Sequence, residues 1–260
     1  MNALRAREPR LFAGLLAAAA LLAVSLAAMA VDARTINGVS VWVKPAKFSA
    51  SFLLWFATLG WAFGLLRPEA RRGWPARAIA WGTLIAAAVE MGWILPRAAL
   101  GLPSHFATDP LGGFMYGVMG LAALALVALA AALGLLVALR GDPAQPRLWR
   151  AAWVAGLVLT GLLGGFTGAA ISASGGPQIG GTPGDAAALA PFFWSRDGGD
   201  LRVAHFLGIH AMQALPLLAL ALAGWRAARG WAALGLGTAA YAGLTLAAFA
   251  AARAGLPLSP

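Results

Sequence analysis

Apolar residues come in seven long blocks, each about twenty residues, separated by short polar segments rich in arginine. The blocks fall at 11–31, 48–66, 78–95, 113–139, 151–171, 203–223 and 231–251. A helix rises 1.5 Å per residue, so about twenty apolar residues match a hydrocarbon core roughly 30 Å thick. None of the blocks alternates polar and apolar residues as a barrel strand does. Lipid offers no partner for backbone N–H and C=O groups, so each block is predicted to be a helix. The predicted fold is all-α: one integral membrane bundle of seven transmembrane helices spanning 1–260.

The polar segments orient the bundle. Twelve arginines lie in one set of segments: Arg5, Arg7 and Arg10; Arg67, Arg71, Arg72 and Arg77; Arg140, Arg147 and Arg150; and Arg226 and Arg229. The opposite set holds seven basic residues: Arg34, Lys44, Lys47, Arg97, Arg196, Arg202 and Arg253. Basic residues accumulate in cytoplasmic loops. This places the N-terminus in the cytoplasm, the C-terminus outside and the protein in a bacterial inner membrane. The first block, with its three arginines and Ala28-Met29-Ala30, resembles a signal peptide, but its length favours a retained helix.

Composition narrows the class. Hydrophobic residues make up 61% of the 260 and charged residues 11%, against about 45–50% and 25% for a soluble domain. The net charge of +10 is explained by loop arginines. No solvated face interleaves basic with aromatic residues, so no nucleic acid is expected. Cysteine is absent, which removes thiolate chemistry. The expected partner is the lipid bilayer, with a small molecule or lipid as ligand.

Ionisable groups within membrane helices mark function by default. Glu90 is the lone acid inside a block, about 8 Å below its outer end by the helical rise. His205 and His210 lie near the outer end of the sixth block, and His105 lies in an outer loop. All four are expected on one side of the membrane. His205 and His210 are five apart and point in different directions, whereas His210 and Gln213 share a face. Pro216 is expected to kink the helix and open it near that pair. Lys44, Lys47, Arg97 and Arg202 form a basic rim, and Tyr116, Thr167 and Ser172 add hydroxyls.

Three readings follow. In the first, His105, His205, His210 and Glu90 ligate a transition metal (Zn, Cu or Fe) or haem, with Glu90 and His210 as the catalytic pair. In the second, an outer vestibule built from Lys44, Lys47, Arg97, Gln213 and Tyr116 binds or transports an anionic ligand. In the third, the stretch holding Ser104, His105 and Asp109 serves an intramembrane metal-assisted hydrolase. The loop 172–202, glycine- and proline-rich at first, is expected to be a lid. It should carry a short interfacial helix at 186–194, tipped by Phe192, Phe193 and Trp194. Glycines spaced four apart, densest in the fifth block, predict close helix packing.

Two segments, VWVKPAKFSASF at 41–52 and GGDLRVAHFLGIHAMQALPL at 198–217, resemble parts of bacterial multi-span membrane proteins that have no assigned activity. The resemblance covers about thirty residues and implies no mechanism, only that these two segments hold the functional residues.

Overall fold

The computed structural model describes residues 2–107, 109–185 and 188–257. A short helix α1 (Asn2–Arg7) leads into α2 (Pro9–Val31), which begins at Glu8. The Glu8 carboxylate accepts the Arg10 backbone N–H and pairs with the Arg10 guanidinium at 2.6 Å. Then come α3 (Val43–Phe63), a single turn α4 (Pro68–Arg72), α5 (Trp74–Ala99) and α6 (Pro110–Arg140). Three more long helices follow: α7 (Arg147–Ala173), α8 (Leu201–Ala221) and α9 (Ala227–Arg253).

Six of these helices, α2, α5, α6, α7, α8 and α9, are long and apolar enough to cross a membrane, which makes the chain a multi-pass membrane protein. The seventh expected span is also a helix. However, α3 carries Lys44 and Lys47 in its first two turns, and serines, threonine and tryptophans dilute its apolar content. By composition it stands apart from the other six.

The connections gather at two ends. At the arginine-rich end, Arg67 donates its backbone N–H to Arg140, and Asp142 donates to Leu65. This ties the turn after α3 to the turn after α6. At the other end, which we call the loop end, Asp185 N–H meets the Asn37 carbonyl and the Arg34 guanidinium meets the Ala99 carbonyl. A small ribbon, β1 (Thr35–Ile36) with β2 (Val39–Ser40), and a second pair, β3 (Gln178–Ile179) with β4 (Gly199–Asp200), fold over this end.

The main core runs through α2, α3, α5, α6, α7 and α8, with Leu11, Leu59, Phe63, Leu133, Leu157 and Met212 all but fully buried. α7 and α8 cross closely. A Cβ added to Gly156 would lie 2.7 Å from the Ala211 carbonyl oxygen, and one on Gly208 would lie 2.9 Å from the Leu163 backbone. Only glycine permits that approach. The expected tight packing of the fifth block is therefore present, whereas Gly113 and Gly117 face open space.

α7 also contains a π-helical turn at Thr160–Gly164. There the Thr160 hydroxyl donates to the Ile209 carbonyl at 3.2 Å and accepts the Met212 N–H at 3.0 Å. α8 continues past Pro216 as one helix to Ala221. Four residues before Pro216, the Met212 N–H is shared with the Thr160 hydroxyl of α7.

The expected interfacial helix at 186–194 is corrected by the structure. Ala186 and Ala187 lie outside the described residues. From 188 to 194 the chain forms a turn closed by a bridge between Leu189 and Trp194. Pro191 supplies no N–H and disfavours a helical Ala190, and Phe193 adopts a positive φ of 59°.

Candidate functional site

The loop end collects the scarce polar side chains around the start of α3. Of the four rim cations, two are neutralised by carboxylates. Arg97, itself buried, pairs with Asp109 at 2.9 Å, donates to the Pro103 carbonyl and lies over the Trp93 ring. Asp109 caps α6 through the Gly112 N–H at 2.8 Å. That N–H and the Arg97 guanidinium hold its carboxyl below the usual range. Arg202 pairs with Asp200 at 2.7 Å and Asp185 at 3.1 Å.

Lys44 and Lys47 differ: among the described residues neither has a carboxylate within 4 Å. The Lys47 ammonium donates to the Phe192 carbonyl at 3.2 Å and stands 5.2 Å from the Phe193 ring.

Lys44 stands in the first turn of α3. Its charge is within electrostatic reach of Glu90 and of His105. Glu90 is only 2% exposed, and its Oε2 has no hydrogen-bond partner. No basic nitrogen comes within 4 Å of it among the described residues, so the expected tight pairing with a rim cation or histidine is not formed.

His105 sits between the rings of Phe48 (6.0 Å between centroids) and Tyr116 (5.7 Å), with Nδ1 3.3 Å from Ser104 Oγ. Burial first, and the positive charge of Lys44 second, push its imidazole down to about 3, so it is neutral near pH 7. Tyr116 Oη is 3.0 Å from Ser172 Oγ, which joins α6 to α7.

A second group lies across the seam between α3 and α8. α3 packs against α2, α5 and α6, while α8 packs against α7 and α9. Side chains bridge the two instead. Gln213 donates Nε2–H to Thr58 Oγ1 at 2.9 Å, and Thr58 donates to the Leu54 carbonyl at 2.8 Å. Gln213 Oε1 is then the acceptor for His210 Nδ1 at 3.1 Å. This assigns the proton to Nδ1 and leaves Nε2 free to accept.

The His210 ring lies 4.2 Å from Phe206, which packs against Phe192 and Trp194 of the loop turn. Along α3, Lys47, Ser51, Leu54 and Thr58 share one face within about 60°. Phe206, His210 and Gln213 do the same on α8. Ser51 and Leu54 are exposed between the Lys47 contact and the Thr58 bridge, so the seam is open there and closed above and below.

His205 points elsewhere, with Nδ1 3.1 Å from Thr167 Oγ1 and its ring against Gly168. The histidines therefore stand in separate settings: His105 among aromatic rings, His205 on α7 and His210 on Gln213. Among the described residues no three His, Asp or Glu side chains come together to hold a metal ion. The proposed ligand set of His105, His205, His210 and Glu90 is thus not gathered in one place. Glu90 and His210, the expected catalytic pair, lie on α5 and α8, and His210 Nδ1 is engaged by Gln213. Asp109 is engaged by Arg97 and the α6 cap, so Ser104, His105 and Asp109 form no relay.

Sequence reading missed Thr58, Phe48 and Phe206. The available signal for Thr58 was its position three turns from Lys47 on one helical face. No family model, curated relative or solved structure matches the chain.

Proposed function

We propose that this protein crosses a bacterial inner membrane seven times, with its arginine-rich end in the cytoplasm, and binds an anionic amphiphile or small anion at its outer end. Lys44 and Lys47 meet the anionic group. The open part of the α3–α8 seam, between the Lys47 contact and the Thr58 bridge, receives an attached chain from the lipid side. The observation that carries this reading is the state of the rim. Arg97 and Arg202 have carboxylate partners, while Lys44 and Lys47 have none within 4 Å among the described residues. Two ammonium groups near a membrane interface that no carboxylate contacts favour an anionic ligand. The metal or haem reading lacks such support, because its imidazoles are bound to different neighbours.

Titration of dodecyl phosphate into the protein in phosphatidylcholine nanodiscs tests the proposal. Lys44→Ala and Lys47→Ala should each weaken binding about tenfold, equivalent to 1.4 kcal/mol, and rising salt should weaken wild-type binding. Wild-type affinity in both variants at low salt overturns it.

A further inference from the structure

The arginine-rich end contains a second feature that the loop-end reading does not use. A cavity of about 500 Å³ opens on the surface between α6, α7 and α9, with Ala138, Val154, Val158 and Trp231 among its walls. Two charged side chains, Arg147 and Arg150, stand at its edge. Neither has a carboxylate within 4 Å among the described residues. Arg150 donates through Nη1 to the Asp142 carbonyl at 2.8 Å, which anchors its guanidinium beside the turn that starts α7. Arg147 is exposed at the first position of that helix.

The rest of the wall is aliphatic and runs from Arg147 to Val158, about 16 Å along the helix by its rise per residue. Trp231 is placed at the same end by the start of α9. The cavity therefore has a guanidinium pair at the level of the headgroups, an indole beside it and an apolar wall below it. That order of chemistry is the order along a phospholipid. Arginine forks fit phosphate oxygens in pairs, and basic pockets between membrane helices hold anionic headgroups.

We infer that this cavity binds one anionic phospholipid of the surrounding leaflet. Its phosphate sits on Arg147 and Arg150, and an acyl chain lies along Val154 and Val158. The site is independent of the loop-end ligand and differs from it in occupant: a resident bilayer lipid, chosen by charge.

Native mass spectrometry on protein released from micelles containing equal phosphatidylglycerol and phosphatidylcholine tests it. The wild type should retain one phosphatidylglycerol at least fivefold over phosphatidylcholine. Arg147→Ala should abolish that preference. Ala155→Phe, which fills the cavity and keeps both charges, should abolish it as well, so the result does not depend on one variant folding. Arg226→Ala with Arg229→Ala, at the same end but not among the lining residues, should leave it intact. Equal retention of the two lipids by wild type overturns the inference. So does equal loss in the Arg226/Arg229 variant, which would make the preference a property of the whole basic end. The same comparisons are repeated in a Lys44→Ala/Lys47→Ala background, which removes any lipid held at the loop end; the preference and its loss in Arg147→Ala should persist there, so failure here and failure of the loop-end reading are distinguishable.

Discussion

Gln213 on α8 reaches Thr58 on α3 with a hydrogen bond of 2.9 Å, and that bond joins two helices whose main packing partners are different helices. The same glutamine accepts from His210. One amide therefore holds the histidine in a fixed tautomer and also closes the lower part of the seam.

Removing either partner should loosen the seam. Thr58→Val leaves a half-buried amide N–H without its partner and should cost about 1 kcal/mol. Gln213→Leu leaves His210 Nδ1–H without its acceptor and should cost a similar amount. A double-mutant cycle from thermal unfolding in detergent should give a coupling of about 0.5–1.5 kcal/mol. Additive single effects would mean that the bond contributes nothing.

The α7–α8 crossing tolerates no side chain at its closest point. Gly156→Ala puts a methyl 2.7 Å from the Ala211 carbonyl, and backbone cannot yield as a flexible side chain can. The expected loss is about 1–3 kcal/mol. Gly117→Ala, with nothing within 4 Å, should be neutral or stabilising by up to about 1 kcal/mol through helix propensity. The melting temperatures of the two variants should therefore move in opposite directions or differ clearly; equal shifts contradict the crossing.

His105 makes stability depend on pH with a definite sign. Its folded imidazole is held down to about 3 by burial and Lys44, while in the unfolded chain it titrates near about 6.5. Between those values the unfolded state binds more protons, so stability falls as pH drops below about 6.5 and is flat above it. His105→Phe keeps a ring between Phe48 and Tyr116 and removes the titration. Unfolding followed from pH 7 to 4.5 should show a shallower decline in the variant than in wild type.

The helices were legible because arginines and prolines punctuate them. Charge marks both ends of α2, α5 and α6 and the start of α7, and the lipid requirement allows no other backbone form. Across 186–194 the apolar run favours a helix and Pro191 opposes one; the proline prevails in the turn at 188–194. The site was only half legible. Membrane scarcity alone singled out Glu90, His105 and His210. Their grouping depends on which helices touch, and helical periodicity does not encode that. His205 and His210 look like neighbours in sequence, yet one turns to Thr167 and the other to Gln213. The neutralisation of Arg97 by Asp109 joins residues twelve positions apart across a turn, a fold-back that no spacing rule announces.

The Thr160 hydroxyl, shared between a carbonyl and an N–H of α8, has a mechanical consequence. With Gly156 and Gly208 pressed against the opposing backbones, α7 and α8 are keyed together and cannot slide without breaking both contacts. Any widening of the gap beside Ser51 and Leu54 must therefore part α3 from α7 and α8 moving as one body.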